Sequence, residues 1–138
     1  MINHKESVLF ICKNNAGRSQ MAEGLLRHLY GNKYDVYSAG FDPKEISTLS
    51  IQVLAEIGAD ISNQYSKSIK EYEGQEFDHV IILCDDSCPS FIDGRKCIHH
   101  EFKDPKKYSE GKLNKINVFR SIRDEIKDWI ENTFNEIN

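Results

Sequence analysis

Short apolar runs alternate along this chain with longer stretches in which apolar residues recur every three or four positions. Residues 8–12 and 77–84 are too short for helices and largely apolar, which is typical of buried strands in a parallel sheet. The alternating residues 34–39 predict a strand that ends at Gly40, and a weaker strand is predicted around residues 95–101.

The stretches with helical spacing predict three amphipathic helices and, within residues 66–73, one short helix. The first begins at Ser19, ends at Gly31 and carries its apolar face on Met21, Ala22, Leu25, Leu26, Leu29 and Tyr30. The second ends at Gly58 and carries Leu49, Val53, Leu54 and Ile57. The long C-terminal helix carries Leu113, Ile116, Phe119, Ile122, Ile126, Trp129 and Ile130. Alternating strands and helices predict an α/β fold with a parallel sheet covered by helices on both faces, and residues 1–138 are expected to form one domain.

The charge and hydropathy of the chain argue against two broad classes of partner. A net charge of −4 with both signs mixed gives no basis for general binding to nucleic acid or to an anionic membrane. No apolar run approaches the roughly 18 residues of a transmembrane helix, and residues 1–6 lack the apolar core of a signal peptide. We therefore expect a cytosolic protein, whose four cysteines are more often buried, metal-bound or redox-active than joined in structural disulfides.

The loop after the first strand combines a cysteine with the features of an oxyanion site. Cys12 ends the strand, five residues follow, and Arg18 and Ser19 open the helix. Backbone N–H groups of such a loop and of a helix N-terminus converge on one point, and the guanidinium fork of Arg18 matches two oxygens of a tetrahedral oxyanion. The same donors and the Ser19 hydroxyl favour the nucleophilic thiolate of Cys12. The predicted oxyanion-binding residues are Lys13, Asn14, Asn15, Ala16, Gly17 and Arg18.

Cysteines end both of the clearest predicted strands. Because the carboxyl ends of parallel strands lie at one edge of a sheet, Cys12 and Cys84 are expected at the same edge, about 5 Å apart if their strands are neighbours. Such a pair could react, and the alternative is that Cys84 is a small core residue. Cys97 is predicted to be a buried strand residue.

Several segments together resemble one enzyme family. The loop from Cys12 to Ser19 is similar to the signature loop of the low-molecular-weight protein tyrosine phosphatases. From residue 8 to about residue 134 the chain resembles the branch of that fold formed by thioredoxin-coupled arsenate reductases. The segments that carry this resemblance are residues 18–24 (RSQMAEG), 38–40 (SAG), 58–63 (GADISN), 77–84 (FDHVIILC), 88–89 (CP), 102–105 (FKDP) and 120–126 (RSIRDEI). The resemblance implies a four-stranded parallel sheet flanked by helices, and a general-acid role for Asp104 beside the nucleophile Cys12.

The resemblance to the reductases also implies a relay of thiols. Cys84 would attack the adduct of Cys12 with arsenate, Cys88 would then attack Cys84, and thioredoxin would open the Cys84–Cys88 disulfide. Bridged Cα atoms lie about 4.4–6.8 Å apart, whereas four extended residues span roughly 13 Å, so the segment between Cys84 and Cys88 must turn or coil. The chain departs from the reductase pattern in two ways: this segment is shorter, and Gly17 replaces the usual second cysteine of the loop.

Two other functions stay open at this stage. One is a low-molecular-weight phosphatase that acts on phosphotyrosine or phosphoarginine through a phosphocysteine at Cys12. The other is a zinc-binding or redox-sensing thiol protein, with ligands drawn from Cys84, Cys88, Cys97, and His99 or His100. The leading prediction is a monomeric arsenate reductase with no bound metal or cofactor and with thioredoxin as external reductant.

The resembled reductases often hold a potassium ion beside the loop, at positions that match Asn15, Glu23 and Ser38 together with an acidic residue. The position of that acid matches Lys67 in this chain. We therefore expect the Lys67 ammonium to replace the ion and to support Asn15 directly.

Overall fold

The computed structural model describes residues 5–85 and 92–134, and four strands in this part of the chain form one sheet. All the strand pairs are parallel, and the order is β2-β1-β3-β4. The strands are β1 (Glu6–Cys12), β2 (Tyr34–Gly40), β3 (Glu76–Ile82) and β4 (Asp93–His99). The predicted α/β architecture is confirmed.

The helices of the described residues cover both faces of this sheet. They are α1 (Arg18–Tyr30), α2 (Thr48–Ala55), α3 (Pro105–Tyr108), α4 (Lys115–Phe134) and the 3₁₀ helix Ile69–Tyr72. On one face, Phe134 of α4 packs edge-on against Phe10 and Tyr34. On the opposite face, Tyr72 of the 3₁₀ helix packs against Tyr37 and Phe77. None of the described helices is long and apolar enough to cross a bilayer.

Three details of the predicted elements are corrected by the structure. The second predicted helix ends at Ala55, so Ile57 lies in the turn after it. The C-terminal helix begins at Lys115, and Leu113 before it is fully exposed rather than part of the buried face. The short helix α3 escaped prediction because four residues offer too little periodicity for a pattern to register.

The strand order brings the two predicted reactive cysteines to one edge of the sheet. β1 and β3 are neighbours, and their pairing continues past the end of β3, where Leu83 N donates to Ile11 O at 2.8 Å. Cys12 ends β1, whereas β3 ends at Ile82, two residues earlier than the sequence predicted. Cys84 therefore lies just beyond the strand, beside the loop that follows Cys12.

Candidate active site

The loop of residues 12–17 is held from outside through its carbonyl groups. The main-chain N–H groups of Phe41, Asp42, Lys44 and Ser47 donate to the carbonyls of four loop residues, at 3.2, 2.7, 2.9 and 3.0 Å. The accepting residues, in the same order, are Cys12, Lys13, Asn14 and Ala16. With these carbonyls bound on the outer side, the loop amides are left for its inner side, which is the arrangement that an oxyanion requires.

Two residues allow this tight path of the loop. Asn15 has φ of 50°, the left-handed conformation that asparagine tolerates better than most residues. Gly40, at the end of β2, lies so close to the loop that a Cβ there would stand 2.7 Å from Asn15 N and 2.9 Å from Lys13 O. Any larger residue at position 40 would therefore push the loop away from the sheet.

The Cys12 sulfur lies at the centre of this loop and is 2% exposed. Asn15 N–H donates to Sγ at 3.3 Å, and Ser19 Oγ lies 2.9 Å from Sγ. Asn15 Nδ2 donates to Ser19 Oγ at 2.7 Å, so the side chain of Asn15 holds the hydroxyl beside the sulfur. Both neighbours therefore place polar groups against the sulfur that would attack the substrate.

A chain of hydrogen bonds continues outward from Asn15 to the carboxylate of Glu23. Asn15 Nδ2 also donates to Ser38 Oγ at 2.9 Å, and the Ser38 hydroxyl donates to Glu23 Oε1 at 2.5 Å. Glu23 accepts from Arg27 at 2.5 Å, and Lys67 Nζ lies 3.9 Å from its Oε1. The buried Glu23 carboxylate thus orients the Ser38 hydroxyl, whose oxygen is then free to accept from the Asn15 amide.

Lys67 supports the loop differently from the way the sequence suggested. Its main-chain N–H, not its ammonium, donates to Asn15 Oδ1 at 2.8 Å. The ammonium donates to Tyr65 O at 2.8 Å and lies 4.5 Å from the centre of the Tyr65 ring. Burial lowers the pKa of this ammonium, and the nearby Glu23 carboxylate opposes that shift. The direct ammonium contact with Asn15 is therefore wrong, because the side chain extends past Asn15 toward Glu23.

Arg18 is positioned by the ends of the sheet. Its NH1 donates to Phe102 O at 3.0 Å and lies 3.5 Å from Leu83 O, so carbonyls that follow β4 and β3 hold the guanidinium. NH2 lies 4.0 Å from Asp104 Oδ2. One side of the guanidinium is thus fixed to the main chain, which leaves the other for a planar interaction with an oxyanion.

Asp104 is held at the same site by a helix cap. Its Oδ1 accepts from Lys106 N at 3.1 Å, at the start of α3, and Pro105 occupies the first helical position. The second oxygen, Oδ2, faces Arg18. Asp104 and Cys12 line one cavity of about 600 Å³. The predicted juxtaposition of Cys12, Arg18 and Asp104 is therefore present in the structure.

The other predicted cysteines lie at different depths. Cys84 is 3% exposed, and His99 Nε2 of β4 donates to its carbonyl oxygen. Cys88 lies outside the described residues. Cys97 is exposed and disulfide-bonded, so the prediction of a buried strand residue is wrong. Its strand β4 is the edge of the sheet, where side chains have neighbours on one side only.

Two further residues of the site, Gln20 and Arg27, were not predicted from the sequence. Gln20 Nε2 donates to Asn15 Oδ1 at 2.8 Å and to Tyr65 O at 3.0 Å. Arg27 pairs with Glu23, and this contact did have a signal, because the two residues are four apart on a helix. Within residues 5–85 and 92–134, no group of three His, Cys, Asp or Glu side chains is arranged to hold a metal ion.

These features place the chain in a known family. Residues 7–138 match the model of the low molecular weight phosphotyrosine protein phosphatases, and the chain belongs to this family. Over 136 residues it is 38% identical to an arsenate reductase of Halalkalibacterium halodurans, an alignment that covers 96% of this chain and 97% of that protein. The resemblance inferred from the sequence is confirmed.

Solved structures agree with this assignment. An arsenate reductase in the phosphate binding state matches with a TM-score of 0.83 at 32% identity, over 96% of this chain and 99% of the other. A thioredoxin-dependent arsenate reductase of Corynebacterium glutamicum matches with a TM-score of 0.66 at 30% identity, over 99% of this chain and 66% of that one. The four-stranded parallel sheet is therefore the fold of these reductases as well as of the phosphatases.

Proposed function

We propose that this protein reduces arsenate to arsenite with Cys12 as nucleophile, and that thioredoxin returns it to the dithiol state. The observation that carries the proposal is the placement of Cys84 beyond β3, next to the strand that ends at Cys12. A phosphatase needs only the loop, whereas a reductase needs a second thiol at the same edge of the sheet. The named activity of the relatives supports the same conclusion.

In the first step the Cys12 thiolate attacks the arsenic atom of bound arsenate. Loop amides and the free side of Arg18 hold the arsenate oxygens, and Asp104 protonates the oxygen that departs as water. Asn15 N–H and Ser19 Oγ hold the Cys12 sulfur in position before attack, and the cap that holds Asp104 Oδ1 supports the position of its other oxygen. The product is a covalent bond between sulfur and arsenic(V).

In the second step the Cys84 thiolate attacks the Cys12 sulfur. A Cys12–Cys84 disulfide forms, the sulfur–arsenic bond breaks, and its electron pair reduces arsenic(V) to arsenic(III), which leaves as arsenite. Cys88 then attacks the Cys84 sulfur and releases the Cys12 thiolate for another cycle. Thioredoxin finally supplies two electrons as a dithiol. The monomeric state and the cytosolic location stay predictions.

A direct test compares two activities of the same purified protein. Arsenate-dependent NADPH oxidation in the presence of thioredoxin and its reductase reports the complete cycle, and hydrolysis of an aryl phosphate reports the loop alone. The proposal expects arsenite to form, with no oxidation when thioredoxin is omitted. If aryl phosphate is hydrolysed but arsenite never forms, the protein is a phosphatase.

The cavity favours a second activity, phosphate ester hydrolysis, as a minor one. At about 600 Å³ it is far larger than a single oxyanion, and it continues from Cys12 toward Phe119 of α4. An ester with an organic leaving group would therefore fit above the loop. Tyr108, the first aromatic residue after Asp104 along the chain, is half-exposed and lies under Lys103.

The residues around Glu23 do not fit a potassium site. Glu23 already pairs with Arg27 and lies 3.9 Å from Lys67 Nζ, so two positive charges flank the one carboxylate. A third cation there would meet repulsion from both in a buried setting. We infer that the Lys67 ammonium stands in the place of the ion.

This inference predicts an enzyme that does not distinguish potassium from sodium. Arsenate turnover is expected to be equal in matched KCl and NaCl buffers. Lys67→Met removes one of the two donors to Tyr65 O and one of the two positive charges beside Glu23, and we expect it to lower the free energy of unfolding by about 1–3 kcal/mol. The exposed Lys70→Met serves as the matched control and should change neither quantity. A several-fold activation of the wild-type enzyme by potassium would contradict the substitution of ion by lysine.

Arg18 offers a test of planar recognition. Arg18→Lys keeps the charge but loses the fork and the bonds to Phe102 O and Leu83 O. Because these interactions strengthen in the transition state, we expect kcat/KM for aryl phosphate to fall by about 10²–10³-fold. Arg120→Lys, on the exposed face of α4, is the control. Activity within a factor of about two of wild type would show that charge alone suffices.

A further inference from the structure

Residues 100–104, between the end of β4 and the start of α3, connect two parts of the candidate active site. This segment has no regular secondary structure. Phe102 O accepts from Arg18 NH1 at 3.0 Å, and Asp104, the proposed general acid, is the last residue before α3. The positions of Arg18 and Asp104 therefore depend on how firmly this segment is held.

Main-chain hydrogen bonds fix the first part of the segment to the end of β3. His100 N donates to Ile82 O at 2.9 Å, and Phe102 N donates to Leu83 O at 3.0 Å. Leu83 O also lies 3.5 Å from Arg18 NH1. Because the carbonyls of Leu83 and Phe102 both face the guanidinium, any shift of Phe102 changes the position of Arg18.

Aromatic rings hold the same segment from the side of α4. The ring centroids of His100 and Phe102 lie 4.9 and 6.0 Å from that of Trp129, and 4.9 Å from each other. Phe134 contacts Trp129 at 6.0 Å and packs on Phe10 of β1. These separations are typical of aromatic pairs that attract each other. Trp129 therefore links the segment to the core.

The burial of these rings separates this role from ordinary core packing. On α4 the core positions Ile126 and Ile130 are fully buried, whereas Trp129 is half-buried. His100, which stacks on Trp129, is exposed. The Trp129 ring thus lies at the margin of the core, where it covers the segment that leads to Asp104.

We propose that Trp129 is a positioning residue that, through His100 and Phe102, holds Arg18 and Asp104 in the geometry that the reaction requires. This rests on the roles proposed above for Arg18 and Asp104. Proton transfer to a leaving group depends on the distance and the direction of the acid. Loss of the Trp129 ring should therefore slow a reaction that needs the proton more than one that does not.

The test compares two aryl phosphates that need a general acid to different extents. Phenyl phosphate has a poor leaving group that must be protonated as it departs, whereas para-nitrophenyl phosphate releases a stabilised anion. For Trp129→Ala we expect kcat/KM to fall about tenfold or more with phenyl phosphate and no more than about threefold with para-nitrophenyl phosphate. An equal fall with both esters would show a general loss of structure and refute the positioning role.

Further variants separate positioning from folding, and all are assayed at a temperature at which they are folded. His100→Ala removes the partner ring from an exposed position and should reproduce the selective loss. Trp129→Phe should restore most of the activity toward phenyl phosphate. Asp128→Ala, at the exposed neighbouring position of α4, is the matched control and should leave both rates unchanged.

A double variant tests whether the effect passes through Asp104. In an Asp104→Asn background, Trp129→Ala should no longer distinguish the two esters, because the acid that it positions is gone. A selective loss that persists in this background would assign the effect to another group and overturn the proposal.

The comparison of esters does not depend on arsenate reduction. Wild-type protein that hydrolyses both esters but forms no arsenite would overturn the reductase alone, and the role of Trp129 would still be decided by the two rates. Wild-type protein that hydrolyses neither ester would overturn the positioning role, because Asp104 would then have no leaving group to protonate.

Discussion

Cys12→Ser is expected to abolish both arsenate reduction and aryl phosphate hydrolysis. Removing an attacking residue from a preassembled site lowers turnover by at least about 10⁴-fold, since binding and orientation remain but no covalent intermediate forms. A serine hydroxyl has the shape of the thiol but is far less acidic, and the donors from Asn15 and Ser19 cannot produce an alkoxide at neutral pH. The measurement is kcat for both substrates with the same preparation.

This variant should still bind the oxyanion. The sulfur takes no part in the hydrogen bonds that hold the loop carbonyls, Arg18 and Asp104. Phosphate is therefore expected to protect both Cys12→Ser and wild type from thermal unfolding. Loss of that protection would mean that the loop has collapsed and that the loss of activity has a structural cause. Residual arsenate reduction would show that another thiol is the nucleophile.

Cys84→Ser is expected to separate the two activities. Arsenate turnover should be lost, because no thiol can reach the Cys12–arsenic adduct, whereas aryl phosphate hydrolysis should stay near the wild-type rate. Cys84 follows β3, and its neighbour Leu83 helps to hold Arg18 through a main-chain carbonyl that the substitution leaves in place. The measurement is the rate of arsenate turnover and the rate of aryl phosphate hydrolysis, each relative to wild type, with one preparation of the variant.

Cys88→Ser should behave like Cys84→Ser over many turnovers but differ in the first. With Cys84 intact, one equivalent of arsenite is expected to form and the enzyme to stop as a Cys12–Cys84 disulfide. Quenching after one turnover and mapping the disulfides distinguishes the two variants. If both variants sustain arsenate turnover, the relay of three cysteines is wrong and the oxidised Cys12 is reduced directly from solution.

The sequence predicts those elements in which the spacing of apolar residues and a recognisable reactive residue occur together. β1, the loop after it and α1 follow from an apolar run, a cysteine at its end and a helical repeat that begins at Ser19. The placement of Cys84 at the same edge of the sheet as Cys12 follows from the rule that parallel strands end at one edge. These inferences succeeded because each depends on short-range periodicity or on a general property of α/β sheets.

Details that depend on burial in three dimensions were not predictable. Leu113 has the spacing of the C-terminal helix but precedes its first turn, and Cys97 belongs to a strand whose outer neighbour is solvent. The support of Asn15 by Gln20 and by the main chain of Lys67 joins residues 5 and 52 positions apart. The spacing of apolar residues does not indicate which side-chain amide contacts which main-chain group. These contacts could therefore be identified only in the folded structure.

The outer bonding of the loop has a consequence for selectivity. The shape of the cradle is determined by bonds to residues 41–47, and its inner amides recognise only the charge and tetrahedral shape of whatever enters. Arsenate and phosphate share both properties, so the loop is expected to bind both, and phosphate competes with arsenate for the same site. Discrimination comes afterwards: phosphorus(V) does not accept an electron pair from a thiol, whereas arsenic(V) does. In the proposed mechanism the two anions are therefore distinguished by their reduction potentials, when Cys84 attacks, and not by their fit to the loop.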